Sequence, residues 1–461
     1  MRYVSTRGEA PTLDFEGAML AGLARDGGLY VPESWPQMSE TEIAALAGLP
    51  YEEVAFRVMR PFIGDAYGDD EFRDLIARAY QGFGHRLRAP LTQMAEECWM
   101  LELHHGPTLA FKDVAMQLIG RLFDATLSRR KERVCIVGAT SGDTGSAAIE
   151  AFRGSDAADC FILYPHGRVS EVQRRQMTTP AEANVHAIAV EGDFDDCQAA
   201  VKAMFNDHEF RDRMKLAAVN SINWARVLAQ AVYYFTAAVA LGAPGRAISF
   251  AVPTGNFGDI YAGYVAKRMG LPIDRLIIAT NRNDILHRTV ETGKHEKRGV
   301  APTSSPSMDI QVSSNFERLL FDLHDRDSGA VSAMMARLSG NEAGFTLSPE
   351  ALSRLRAEFD SARYDEDEVA ALIRRFAEET GALLCPHSAI GVGAATARKG
   401  PTVGLATAHA AKFPDAVEAA SGHRPALPPR MADLYEREER ITVAPNDLSA
   451  LKRLITEKAR V

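Results

Sequence analysis

In the stretch His104-His105-Gly106-Pro107-Thr108-Leu109-Ala110-Phe111-Lys112-Asp113, a lysine stands among mostly apolar neighbours where a loop runs into a helix. A lysine withdrawn from water loses part of the stabilisation of its ammonium form, so its pKa falls and the free amine can attack a carbonyl carbon. Lys112 is therefore the candidate reactive amine; the alternative is an ordinary solvated lysine at a helix start. Two glycine-rich turns accompany it, Gly138-Ala139-Thr140-Ser141-Gly142-Asp143-Thr144-Gly145-Ser146 and Pro253-Thr254-Gly255-Asn256-Phe257-Gly258-Asp259. Each follows an apolar strand and precedes a helix, so each can aim backbone N–H groups and a helix N-terminus at an anion. One of them should hold a phosphate. Neither fits the G-x-x-x-x-G-K-[ST] of a triphosphatase loop or the full G-x-G-x-x-G of a dinucleotide site, and glycines can also serve only to permit a tight turn.

Other chemistries find less support. Ser141 could be a nucleophile, but no G-x-S-x-G surrounds it and no partner histidine is placed by spacing. His104 and His105 are adjacent and should point to opposite sides of an extended segment, while His387 and His409 follow separate apolar strands, so no metal is assigned. Cys98, Cys135, Cys160, Cys197 and Cys385 form no CxxC pair and read as reduced core residues.

The elements that must position these groups belong to a chain of 461 residues, long enough for two or three domains, with 46% hydrophobic and 25% charged residues. A formal charge of -9 disfavours a broad nucleic-acid footprint and points to small-molecule chemistry. The opening residues lack an apolar h-region, and the apolar stretch Val227 to Ala243 is short and interrupted by Gln230 and Thr236. We expect a cytosolic protein, without nucleic-acid or membrane partners, as a monomer or homodimer. Residues 1–95 show helical spacing at Glu40–Ala47 and Asp70–Tyr80 and form an accessory domain. Trp99–Leu103 is a short strand, and Val114–Leu127 an amphipathic helix with one apolar face. Apolar strands at Val134–Val137, Phe161–Tyr164, Val185–Val190, Ile248–Val252 and Leu276–Thr280 alternate with helices, which predicts doubly wound α/β sheets. Strands are also expected at Ala382–Cys385 and Val403–Thr407, and residues 295–350 read as an insertion without chemistry of its own.

The run His-Gly-Pro-Thr-x-x-Phe-Lys-Asp at His105–Asp113, with Thr140–Gly145, Gly255–Asp259 and Thr407-Ala408-His409, resembles the threonine synthase family over nearly the full length. Tyr3–Gly8 and Asp26–Pro32 resemble its N-terminal domain, which related dehydratases lack. The resemblance implies a tryptophan-synthase-β-like fold of two α/β domains with pyridoxal 5'-phosphate between them. The larger would comprise 96–130 and 246–461, and the smaller 131–245. It also implies that Lys112 forms the Schiff base, that Gly255, Asn256, Phe257, Gly258 and Asp259 hold the cofactor phosphate, and that the Thr407 hydroxyl meets the pyridine nitrogen. Asp143 falls where many relatives in the wider fold group carry asparagine. A carboxylate cannot donate to the phenolic oxygen unless protonated, so its role stays open. Thr108, Ser141, Gly142 and Thr144 fall in the substrate loops; for the substrate phosphate we expect Asn223 and Arg226, with Arg226 as a surface helix residue the alternative. The implied reaction takes O-phospho-L-homoserine and water to L-threonine and phosphate, by loss of phosphate from Cγ and addition of water at Cβ. A dehydratase or β-replacement synthase on the same cofactor, and a binding homologue without turnover, are the competing readings.

Overall fold

The apolar runs become the strands of two sheets in the computed structural model, which describes residues 1–340 and 342–461. The larger sheet orders its strands Phe359–Arg363, Ile273–Thr280, Ile248–Pro253, Thr402–Ala406, Cys98–Glu102 and Leu91–Ala95, all parallel except the last. The smaller orders Thr442–Pro445, Val185–Glu191, Ala158–Pro165, Val134–Ala139 and Leu216–Ala217, all parallel. Every residue of Ile248–Pro253 and of Ala158–Pro165 is buried. A strand without a polar face must be covered on both sides, and helices do this in both sheets, giving the doubly wound α/β arrangement. All five cysteines are buried and unpaired.

Several expectations need correction. The strand Thr442–Pro445 pairs with Val185–Glu191, and the terminal helix Leu448–Lys458 packs beside it, so the chain end returns to the smaller sheet instead of staying with 246–461. Ala382–Cys385 is no strand: Leu384 makes one bridge to His409, and Pro386 opens a helix to Thr396 capped by Cys385. The lysine helix runs Lys112–Arg130 and is buried nearly all round, not along one face. Its outer side is covered by the N-terminal helix Asp69–Tyr80, from which Tyr80 donates to Val114 O at 3.1 Å, and the nearby Tyr67 donates to Leu122 O at 3.1 Å. Residues 1–95 are thus fastened to the element that carries Lys112.

Arg318 ties three further parts together. Fully buried beside Trp224, it donates to Tyr30 O at 3.0 Å, to Ile222 O at 2.6 Å and to Asn315 Oδ1. Its removal strands three acceptors in the interior, each costing about 1–3 kcal/mol. Arg318→Leu is expected to lower the thermal unfolding midpoint by several degrees in a calorimetric scan, whereas an exposed control, Arg424→Leu, leaves it nearly unchanged.

Candidate active site

Four loops converge because each leaves the carboxyl end of a parallel strand, where α/β sheets present their ligands. They follow Cys98–Glu102, Val134–Ala139, Ile248–Pro253 and Thr402–Ala406. The first is pinned to the last. Phe111 N–H donates to Thr407 O at 2.8 Å, His409 N–H donates to Leu109 O at 3.0 Å, and Ala110 bridges Ala408. Thr108 donates its N–H and hydroxyl to Asp113 at 2.8 and 2.6 Å, closing the loop on the first helical turn. Lys112 therefore enters the interior with 8% of its surface exposed.

Its amine meets a carboxylate there. Lys112 Nζ lies 3.3 Å from Asp143 Oδ2, while Lys412 Nζ lies 2.8 Å from Asp143 Oδ1 and Gln173 Nε2 donates to that same oxygen at 2.9 Å. Lys412 is wholly buried and also donates to Thr108 O at 2.8 Å. Burial opposes ionisation of Asp143, yet Lys412 and Lys112 hold its carboxyl well below the usual carboxylate range. Burial lowers the Lys112 pKa, and Lys412 and Arg226 push the same way against Asp143. His387 sits on the helix Pro386–Thr396; burial brings its pKa down to about 4, so the ring is neutral. Its Nε2 accepts from Ser307 N–H at 3.2 Å and its buried Nδ1 has no partner among the described residues.

The second glycine turn forms a cradle. Phe257 adopts φ +62°, a left-handed conformation costing about 1–3 kcal/mol in a non-glycine residue, and the helix Gly258–Arg268 starts directly after it. The main-chain N–H groups of Gly255 through Gly258 have no acceptor among the described residues. The back wall comes from residues 305–318: Ser313 Oγ donates to Gly255 O at 2.6 Å, and Asn315 donates N–H and Nδ2 to Asn256 O at 3.1 and 2.9 Å. A Cβ on Gly255 would lie 2.7 Å from Ser307 O. Residues 295–350 therefore shape the site, contrary to expectation.

Comparison with known proteins decides the family. Residues 2–80 match the threonine synthase N terminus, 86–338 the pyridoxal-phosphate dependent enzymes and 388–455 the threonine synthase C-terminal region. The threonine synthase of Pseudomonas aeruginosa is 54% identical across 99% of this chain and 98% of its own. The chain belongs to the threonine synthase family. The crystal structure of the pyridoxal-phosphate-bound threonine synthase of Brucella melitensis superposes with a TM-score of 0.98 at 57% identity over all of both chains. That of yeast gives 0.94 at 40% identity over 99% of this chain and 98% of its own.

Pyridoxal phosphate is the cofactor, and the residues present fit it. A buried amine of lowered pKa, free amide donors at a helix start and a glycine that no larger residue could replace are what an aldehyde and a phosphate ester require. Thr407 is buried close to Lys112, and its hydroxyl makes no hydrogen bond among the described residues. Nor do the partly buried hydroxyls of Ser141 and Thr144, whose turn is folded by Thr140 Oγ1 accepting from Gly142 and Gly145 N–H. Gly142, at φ +138°, lets the chain pass the Gln173 side chain, which a Cβ would strike.

Other expected contacts fall elsewhere. Asp259 turns its side chain into the core, where Oδ1 accepts from Tyr233 and from Tyr234 at 3.1 Å and burial lifts its pKa to about 7; only its main chain belongs to the cradle. Asn223 caps the helix Trp224–Ala240 through Oδ1 and gives Nδ2 to Met19 O at 2.8 Å, so its amide is occupied. The Thr108 hydroxyl is committed to Asp113, and its carbonyl serves Lys412 instead. Arg226 is buried, not on the surface, and its guanidinium makes a single hydrogen bond among the described residues, to Val219 O at 3.3 Å. His104 and His105 do not diverge: both Nε2 atoms approach Glu102 Oε2, at 3.9 and 2.7 Å, the latter an ordinary hydrogen bond. Lys412, Gln173 and His387 were not foreseen as site residues. For Lys412 a signal existed, since Ala410-Ala411-Lys412-Phe413-Pro414 is another lysine among apolar neighbours.

Gly255→Ala should displace the cradle from its back wall. With overpacking worth about 1–3 kcal/mol, pyridoxal phosphate is expected to bind roughly tenfold weaker or more in an equilibrium titration of the resolved protein.

Proposed function

We propose that this chain converts O-phospho-L-homoserine and water to L-threonine and phosphate, in the cytosol, as the last step of threonine biosynthesis. The observation that carries this reading is a cluster of buried cations beside free main-chain donors. Lys112 and Lys412 both contact the ionised Asp143, the buried Arg226 acts on Lys112, and the amides of Gly255 to Gly258 have no acceptor among the described residues. Such a cluster suits a site that takes two phosphate esters, one on the cofactor and one on the substrate.

Bound pyridoxal phosphate supplies the electron sink that makes a proton at the substrate Cα removable. The chain supplies the rest. Gly255 to Gly258 hold the cofactor phosphate, and the Thr407 hydroxyl meets the ring nitrogen as a neutral partner. The hydroxyls of Ser141 and Thr144 and the amides of their turn hold the substrate carboxylate. The Arg226 guanidinium, with donors to spare, takes the leaving phosphate in a bidentate grip. Lys112 takes the Cα proton and returns protons at Cα and Cβ, a role open to an amine whose pKa is lowered by burial. Lys112, Arg226 and Thr407 are buried, so these groups act away from bulk water.

Purified protein incubated with O-phospho-L-homoserine should release phosphate and threonine in equal amounts. An oxoacid from serine or threonine instead would identify a dehydratase and overturn the reading. Lys112→Ala should lose turnover and the visible absorbance of the bound cofactor together. For Arg226→Ala, loss of a charged hydrogen bond worth about 1.5–3 kcal/mol predicts a KM raised at least tenfold. An unchanged KM would remove Arg226 from the phosphate site.

A further inference from the structure

Lys412 closes the short turn Ala410–Lys412 that follows Thr407 and His409, and none of its surface is exposed. Its ammonium has three neighbours: Asp143 Oδ1 at 2.8 Å, Thr108 O at 2.8 Å and Ser146 Oγ at 3.5 Å. All three of its protons can thus be directed, and none is left for a ligand. Asp143 in turn offers its other oxygen to Lys112 at 3.3 Å, so the two lysines grip opposite oxygens of a single carboxylate. An ammonium placed there reaches the reacting amine only through Asp143 and through its own field.

We infer that Lys412 is a positioning residue: it holds Asp143 aimed at Lys112, and with Asp143 it sets the protonation of the Lys112 nitrogen. This rests on the reading of Lys112 as the cofactor's lysine. The two members of the pair act with opposite sign. Asp143 favours the protonated nitrogen and Lys412 disfavours it, and both effects are strong because the groups are buried. The other charged or titratable groups facing this cluster are Arg226 on Trp224–Ala240, Asp259 on Gly258–Arg268, His387 on Pro386–Thr396 with Cys385 capping it, Asp113 beside Lys112, and His409 before Lys412. They stay in place in the variants below, so the shifts belong to the pair. A carboxylate at position 143, where an amide would be the simpler hydrogen-bond donor, has its use here: it can be neutralised by one lysine while accepting from the other.

The test is a spectroscopic pH titration of the cofactor-loaded protein, following the visible absorbance change that reports protonation of the Lys112 nitrogen. Asp143→Asn should lower the midpoint and Lys412→Met should raise it, each by about 1–3 units. Lys412→Gln, which keeps a donor without the charge, should shift it in the same direction as methionine, and covers the case in which the methionine variant does not fold. Lys412→Arg should leave the midpoint near that of the wild type. A neutral residue at 412 that leaves the midpoint in place, or moves it down together with Asp143→Asn, overturns the inference and leaves Lys412 a merely structural cation. Failure of the functional reading looks different: the wild type itself would show no visible absorbance and no phosphate release.

Discussion

A carboxylate buried between two lysines governs this structure. Taking Asp143 out of water is unfavourable unless its oxygens are satisfied, and they are met by Lys412, Gln173 and Lys112. Burial is the main cause of the lowered Lys112 pKa, Lys412 and Arg226 add to it, and Asp143 opposes them.

The scaffold explains how such a cluster can be assembled at all. Lys112 and Lys412 hang from the larger sheet, whereas Asp143 and Gln173 belong to the smaller one, on the helices Asp143–Phe152 and Glu171–Thr178. Parallel strands end on one side of each sheet, so loops far apart in sequence share one opening. The loop of Thr407 to His409 runs antiparallel to Leu109–Phe111 and converts this shared address into fixed distances. Residues 1–95 contribute from behind, with Tyr67 and Tyr80 bonding carbonyls of the lysine helix, and Arg318 ties the ribbon strand Tyr30–Pro32 to the loop that backs the phosphate cradle.

What the sequence revealed, and what it hid, divides along the same line. Strands such as Ile248–Val252, the glycine turns and Lys112 announce themselves because their signals are local: continuous apolar runs, backbone freedom and a lysine among apolar neighbours. Asp259 sits in the cradle sequence, yet its side chain follows Tyr233 and Tyr234, residues 26 and 25 positions away whose partnership is set by the packing of two helices. Asn223 caps its helix through Oδ1, and its Nδ2 is taken by Met19 O, a partner that no spacing rule connects to it. Residues 305–318 look irregular as text because their hydrogen bonds go to the cradle instead of to a regular ladder. The strand expected at Ala382–Cys385 failed for a local reason that was in view, Pro386, which favours a helix start at the point where the ladder would have continued.

Because the Asp143 contacts cross from one sheet to the other, the charge state of the site and the closeness of the two sheets are one property. Drawing the smaller sheet away would break the Lys412–Asp143 pair. The link Lys412–Asp143 therefore holds the sheets together while Lys112, the more weakly gripped member at 3.3 Å against 2.8 Å, is the one free to change partners. A reactive amine must leave its resting contact to do chemistry, and the second lysine lets it do so without leaving the carboxylate uncompensated. This division of labour explains why an enzyme that uses one amine keeps two lysines on the same aspartate.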